Sequence, residues 1–478
     1  MKKLILLLTI FLLGVSCKES VPTSKCDEIV YTSIDDNIVE PSDAEAFGVT
    51  IISNTYKDGK GVIKFDGDVK AIGEKAFNNS RYLQSIKVPS SVTSIGKGAF
   101  SGCENLKEFK GKFASKDGRC LVQGKKIVAF APAGITRYSI PSSITAIGEE
   151  AFRACYYLQS ITIPKSVTSI EKGAFSFCGL KSVEIPEGVT LIDEEVFYWC
   201  SDLWSVKLPD GLTAIGKKAF AVCEDLRSID IPYGVTTIGD SAFWSCESLR
   251  RVYVPSNVTY VGAYAFSRCF ALESFSGVYA VDGGRSLIID GRLVAVAAEG
   301  LRSYTVPDGV KVIGGGAFHS CSDIYRITLP ESVTTIEEKA FRSCEFLMEI
   351  NIPSGVTSIG EEAFSSCFYL GEINIPSNVV SIGDSAFYSC RRLKSVTIPE
   401  SVTTIGKYAF ADCTGLESVY CKPSTLTEVG VLIFGQGRPK AKMYVPAESV
   451  EAYKSISMLR FYPDLIVGYD FDRGVVVD

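Results

Sequence analysis

The chain has 478 residues, 46% of them hydrophobic, with a formal net charge of -6 spread over 49 Lys and Arg and 55 Asp and Glu. The charges are scattered, so no basic stripe exists to neutralise phosphates, and nucleic acid is excluded as a partner class. A single histidine among 478 residues leaves little room for catalysis by a base, and the 16 cysteines contain no C-x-x-C spacing of the kind that binds metal.

In chain order, Lys2 and Lys3 precede the apolar run Leu4–Leu13, and Gly14–Val15–Ser16 lead to Cys17. A basic start, a short apolar core and a small residue before the cut make a secretory signal, and the run is too short to span a bilayer as a mature helix. A Cys directly after the small residue resembles the lipobox of bacterial lipoproteins, although Gly14 stands where Leu is usual. The resemblance implies lipidation at Cys17 and residues 1–17 as the signal segment. Residues 18–26 are polar and read as a tether. Two β-type runs, Glu28–Thr32 and Val49–Ser53, a turn at Lys57–Gly61 and a third run, Val62–Phe65, make 27–68 an N-terminal cap, since the end turn of a stack exposes an apolar edge.

A repeat then takes over. Its Phe falls at Phe77, Phe100, Phe152, Phe175, Phe197, Phe220, Phe243, Phe266, Phe318, Phe341, Phe364, Phe387, Phe410 and Phe434, and most steps are 23 residues. Two steps are 52, which places longer inserted turns near 111–140 and 277–306 within a repeat region spanning 69–440. Gly118, Arg119, Leu121, Val128, Ala129 and Tyr138 recur 166 residues later as Gly284, Arg285, Leu287, Val294, Ala295 and Tyr304. A block of several turns has therefore been duplicated. Within each insertion, short apolar runs flank Gly124 or Gly291, a β-hairpin pattern. Residues 441–478 leave the period: Lys442–Val445 is strand-like, Ala447–Arg460 has some helical spacing, and a C-terminal cap ends near Leu465–Val467.

Within one unit, Leu158–x–x–Ile161–x–Ile163 alternates apolar and polar residues, the mark of a strand with one buried face, and Pro164 ends it. Val167 and Ile170 return inward, and a helical-type turn carries Ala174 and Phe175 to Cys178. The reading is an α/β solenoid: stacked parallel strands on one side, short helical turns on the other. As it stands in Ile231–Leu249, IPYGVTTIGDSAFWSCESL, the unit resembles the BspA-like leucine-rich repeats. Departures are local: Ser80 and Gly437 replace Cys in the end units, and Gly179 shortens one turn. The resemblance implies a non-catalytic bacterial surface protein that binds host proteins or other cells.

Twelve cysteines follow the Phe by three residues, from Cys103 to Cys413. Equivalent side chains in a stack point the same way, which is poor disulfide geometry, so these read as free buried thiols. His319 lies in a variable slot and reads as a surface residue. Carboxylate pairs such as Glu337–Glu338 occupy a slot that holds Lys217–Lys218 in another unit, so no catalytic constraint is visible there.

Variable slots are where a ligand surface is written. All three tryptophans, Trp199, Trp204 and Trp244, fall within about three turns, with Tyr198, Arg227, Arg250 and Tyr253 nearby. Aromatic and Arg residues dominate binding hot spots. The alternative is that these rings cover the edges of the core. The expectation is a lipid-anchored outer-membrane protein at the cell surface, periplasmic or secreted as alternatives. It has no cofactor or metal, and it binds a protein, such as a host matrix or cell-surface protein. A glycan-binding lipoprotein and a structural envelope component are the other readings.

Overall fold

In the computed structural model, the described residues are 27–435, 440–456, 459 and 463–477. The signal segment, Cys17, the tether, Cys26, Gly437 and Arg460 lie outside them.

Each 23-residue unit contributes two short strands, and each set of strands stacks in parallel. In one set, Ser228–Asp230 pairs with Arg251–Tyr253, which pairs with Ser274–Ser276. In the other, Ala214–Ile215, Thr237–Ile238 and Tyr260–Val261 pair in turn. Alternation does the sorting: Ile229 is buried while Ser228 and Asp230 face out. The Ile–Gly of most units has a steric cause. A Cβ on Gly239 would stand 2.6 Å from the backbone nitrogen of Lys217 in the turn below.

The third side differs from the expected helical turns. Glu171–Cys178 is a run of three-residue hydrogen-bonded turns, Ala174 N–H to Glu171 O at 3.1 Å and Cys178 N–H to Phe175 O at 3.2 Å. Gly173 and Phe177 hold φ of +61° and +60°, and a left-handed residue at every fourth position prevents an α-helix from propagating. The backbone instead bonds between turns: Phe175 N–H to Val196 O at 3.0 Å, Phe197 N–H to Ala219 O at 2.8 Å. The solenoid therefore has a hydrogen-bonded ladder on this side as well. Among the described residues the one α-helix is Val450–Ser455, shorter than the spacing over Ala447–Arg460 suggested because Ala447–Ser449 is a 3-10 turn.

The core is a column of phenylalanines. Phe220 and Phe243 lie 5.4 Å apart and 3° from parallel, and Phe364 and Phe387 5.3 Å and 2°. Beside it the thiols are free, as read from the sequence. They are also hydrogen-bond donors, which the sequence reading did not foresee. Cys178 Sγ reaches Phe152 O at 2.9 Å and Cys246 Sγ reaches Phe220 O at 3.2 Å. Burial pushes the Cys103 and Cys269 thiols up to about 12.

Both insertions are hairpins built into the stack. Cys120–Gln123 pairs antiparallel with Lys126–Phe130, which pairs in parallel with Ala146–Ile147 of the next unit. Ser286–Ile289, Arg292–Val296 and Val312–Ile313 repeat this. The turn side skips the insertion: Ser267 Oγ donates to Gly316 O at 2.9 Å, 49 residues on. Hence each insertion adds material to the strand sides alone, and the buried core divides into three clusters that meet at the hairpins. A clamp holds each hairpin. Lys126–Glu171 at 2.8 Å and Arg292–Glu337 at 2.6 Å are equivalent pairs, and both glutamates occupy the slot where most units have Gly.

At the N-terminal end, Glu28–Ser33 pairs antiparallel with Lys60–Phe65 and with Leu83–Val88 of the first unit, and Ile51–Lys57 completes the sheet. The turn is tighter than Lys57–Gly61. Asp58 and Gly59 both take positive φ, which closes a two-residue hairpin and leaves Lys57, Lys60 and Gly61 in strands. Phe47 stands edge-on at 5.8 Å from Phe77, the first ring of the column. At the other end Lys442–Pro446 and Ile466–Asp470 extend the parallel ladder from Ser418–Cys421, and Tyr453 buries its hydroxyl against Pro423 O at 2.8 Å.

Candidate ligand-binding surface

The seven residues singled out from sequence divide between two sides. Trp204, Arg227 and Arg250 occupy one repeating position just before the strands, in register with Lys181 below and Glu273 above: Trp204 N–H bonds Lys181 O at 3.0 Å and Arg250 N–H bonds Arg227 O at 3.1 Å. Tyr253 ends its strand, in register with Asp230 and Ser276. Trp204 is 50% and Tyr253 49% exposed, and among the described residues neither ring stacks on another ring or meets a cation. Around them the charges pair within the surface, Lys207 with Glu184 at 2.6 Å and Arg250 with Glu273 at 3.0 Å. Glu184 holds the Lys207 ammonium above its ordinary range.

Tyr198, Trp199 and Trp244 belong to the turn side, and their rings are already engaged. Trp199 stacks on Phe177 at 5.7 Å and 13°, Tyr198 meets both edge-on, and the Arg153 guanidinium covers Phe177 at 4.6 Å. Lys218 stands over Tyr198 at 5.7 Å, and Arg268 over Trp244 at 5.5 Å. These rings cover the turn edge with one another. One expected patch is thus an open strand-side group (Trp204, Arg227, Arg250, Tyr253) and a self-satisfied turn-side group.

The strand side is not one continuous sheet. Besides the hairpin junctions, its ladder stops between Ser205–Lys207 and Ser228–Asp230, beside Trp204 and Arg227, and again between Glu349–Ile350 and residues 372–374. At the second break the surface opens into a groove of about 1030 Å³. Its cause is local. The Asn351 amide accepts from Leu329 N–H and donates to Leu329 O, both at 2.8 Å, so the side chain takes the role a strand backbone plays elsewhere. On the far side, Asn374 bridges upward to Thr397. The repeat unit fixes the average strand geometry, so this groove is invisible to pattern reading. Asn351, Asn374 and Gly371 in strand slots were the available signal.

Among the described residues no group of three or more His, Cys, Asp or Glu is placed to hold a metal. His319 is half-buried, where a surface position was expected. Burial, then Arg342, Arg268 and Lys339, lower its pKa to about 4, so it stays neutral near pH 7. Its turn packs at the second hairpin junction, where Tyr264 lies edge-on at 6.3 Å. Glu337 and Glu338 are structural partners, the first of Arg292 and Gly315 N–H, the second of the Tyr264 hydroxyl at 2.6 Å. No helix among the described residues is long and apolar enough to cross a membrane.

The model of the BspA type leucine rich repeat region matches in six copies, over residues 53–118, 126–232, 172–278, 296–417 and 337–448. A leucine rich cell surface protein from Faecalibacterium prausnitzii A2-165 is similar in structure, with 30% identity, a TM-score of 0.51, and coverage of 78% of this chain and 86% of that one. A leucine-rich repeat protein from Bacteroides ovatus ATCC 8483 has 29% identity over 84% of this chain and 86% of its own, with a TM-score of 0.45. No curated protein matches the chain.

Proposed function

Because this chain belongs to the BspA-type leucine-rich repeat family, we propose that it is a non-catalytic cell-surface module that binds a protein ligand through the strand side of its solenoid. The observation that carries the reading is the pair Trp204 and Tyr253, two large rings left half exposed and unengaged on a side rich in arginine. An aromatic ring with no ring or cation partner among the described residues is available to bury a large area against another molecule at low entropy cost. The ion pairs around it are exposed and contribute little to folding, so they are free to rearrange on contact.

Attachment through a lipid on Cys17, exposure at the outer membrane, and end segments acting as caps belong to this proposal. Support comes from the order basic–apolar–small–Cys over Lys2–Cys17, from the cell-surface description of the Faecalibacterium relative, and from the antiparallel strands that pair with the first unit. Protease shaving of intact cells tests exposure: digestion supports it, and full protection opposes it. A binding screen of the purified protein against extracellular-matrix proteins and polysaccharides tests the ligand class. Saturable protein binding supports the reading, and binding to polysaccharide alone opposes it.

A further inference from the structure

We infer that the strand side carries a second point of attachment for its protein ligand, a slot at Gly371 that takes one glutamate side chain of that ligand. This assignment deepens the protein-binding reading and rests on it.

The slot is a missing side chain. The outward position that holds Trp204, Arg227 and Arg250 continues through Tyr325, Met348, Gly371, Lys394 and Glu417. Hydrogen bonds fix the register: Met348 N–H bonds Tyr325 O at 2.9 Å, Lys394 N–H bonds Gly371 O at 3.4 Å, and Glu417 N–H bonds Lys394 O at 2.9 Å. The turns keep their ordinary spacing here, with Tyr369 N–H on Glu345 O at 3.1 Å and Val380 N–H on Thr357 O at 2.8 Å. The backbone is therefore closed, and the opening lies between side chains. Tyr325 and Met348 stand half exposed in this column, and at Gly371 the column is empty. Met348 and Lys394 are two rungs apart, about 10 Å, which leaves room for one side chain between them.

The fold does not require this glycine. Its φ is not positive, and a Cβ placed on it would meet no atom within 4 Å; among the described glycines no other combines the two. Gly239, by contrast, is forced by the turn below it. A glycine in an extended segment costs backbone entropy and packs nothing, so what Gly371 contributes is the opening itself.

The walls select the occupant. The slot belongs to the groove of about 1030 Å³ and is bounded by Met348, Lys394, Tyr369 and Arg392. Arg326, Arg391 and Lys394 are matched by Glu349, Asp412 and Glu417 at 2.6, 3.7 and 3.5 Å. Arg392 has no ion-pair partner among the described residues. Its guanidinium lies 4.0 Å over the Tyr369 ring, which fixes its plane and leaves its N–H fork for a carboxylate. A thioether, a ring and a lysine stem leading to a free guanidinium match a side chain of methylenes that ends in a carboxylate. Exposed Glu372, next to the slot, opposes a second acidic group.

Saturation-transfer difference NMR on the purified protein tests the slot with N-acetylglutamate amide as the probe and its glutamine and lysine counterparts as controls. The assignment requires saturable transfer to the glutamate probe, a Kd at least about tenfold higher for the glutamine probe, and no transfer to the lysine probe. Gly371→Met fills the slot and should abolish the signal at a melting temperature no lower than the parent's. Arg392→Gln should raise the Kd at least about tenfold. The Trp204→Ala/Tyr253→Ala protein should bind the probe as the parent does, so failure of the slot and failure of the aromatic pair are told apart. Absence of saturable transfer, equal binding of the glutamine probe, or unchanged binding by Gly371→Met or Arg392→Gln each overturns the assignment.

Discussion

The Cys223 thiol donates a 3.2 Å hydrogen bond to the carbonyl oxygen of Phe197, one turn down the stack. The same carbonyl already accepts the Cys200 N–H at 3.2 Å within its own turn. The thiol thus serves the second lone pair of a buried carbonyl, and its slot must be small, apolar at its flanks and able to donate. Cys223→Ala removes the donor and leaves a void, with an expected loss of about 1–2 kcal/mol. Cys223→Ser keeps a donor and should lose less. Urea denaturation midpoints of the two variants check the order.

Buried thiols with raised pKa also set an alkaline limit. In the unfolded chain they ionise from about pH 8.5, whereas folded Cys103 and Cys269 hold their protons to about 12. Stability is therefore fully present below about pH 8.5 and falls as pH rises toward 12, because the unfolded state then binds fewer protons than the folded one. Melting temperature measured from pH 7 to 11 should decline above pH 9. In the native protein at pH 8.5, iodoacetamide should modify the partly exposed Cys413 before the fully buried Cys223 and Cys246, as read by mass spectrometry.

The hairpin clamp gives an acid-side prediction. Burial pushes the Glu337 carboxyl up, but its bonds and charge interaction with Arg292 and the Gly315 N–H outweigh this and hold it below the usual range. Its contribution is present at neutral pH and lost as pH falls below about 4.3. Both side chains are about a third exposed, so Glu337→Gln should cost only about 0.5–1 kcal/mol at pH 7 and less at pH 3. Denaturation at the two pH values reads the difference.

Trp199 and Trp204 should respond oppositely to truncation. Trp199→Ala removes a stacked ring from Phe177 and an edge contact with Tyr198, for an expected loss of about 1–2 kcal/mol in stability with ligand binding unchanged. Trp204→Ala, which breaks no ring contact, should leave the melting temperature within about 1 °C.

The period of the Phe, Pro and Cys positions makes the stack, the free thiols and both insertions legible in the sequence. The alternation of Leu158 through Ile163 does the same for the strand side. The turn side was misjudged because Ala174–Phe175–x–x–Cys178 spacing fits a helix equally well; only the left-handed φ of Gly173 and Phe177 excludes it, and a Phe does not announce that conformation. Clustering of Trp199, Trp204 and Trp244 in sequence also merged two sides of the solenoid. Residues five apart across Cys200 bond to different neighbours, Trp199 to Ala221 and Trp204 to Lys181. The groove lies beside Asn351, whose side-chain amide replaces backbone in one unit, an exception that averaging over repeats conceals.

The central claim, that the strand side holds a protein ligand through Trp204 and Tyr253, is tested most directly by surface plasmon resonance. The captured matrix or cell-surface protein is titrated with the parent chain, with Trp204→Ala/Tyr253→Ala and with Trp199→Ala. The account predicts at least a tenfold rise in Kd, about 1.4 kcal/mol or more, for the double variant at unchanged melting temperature, and no change for Trp199→Ala. Undiminished binding by the double variant, or a loss that follows Trp199→Ala instead, would contradict it.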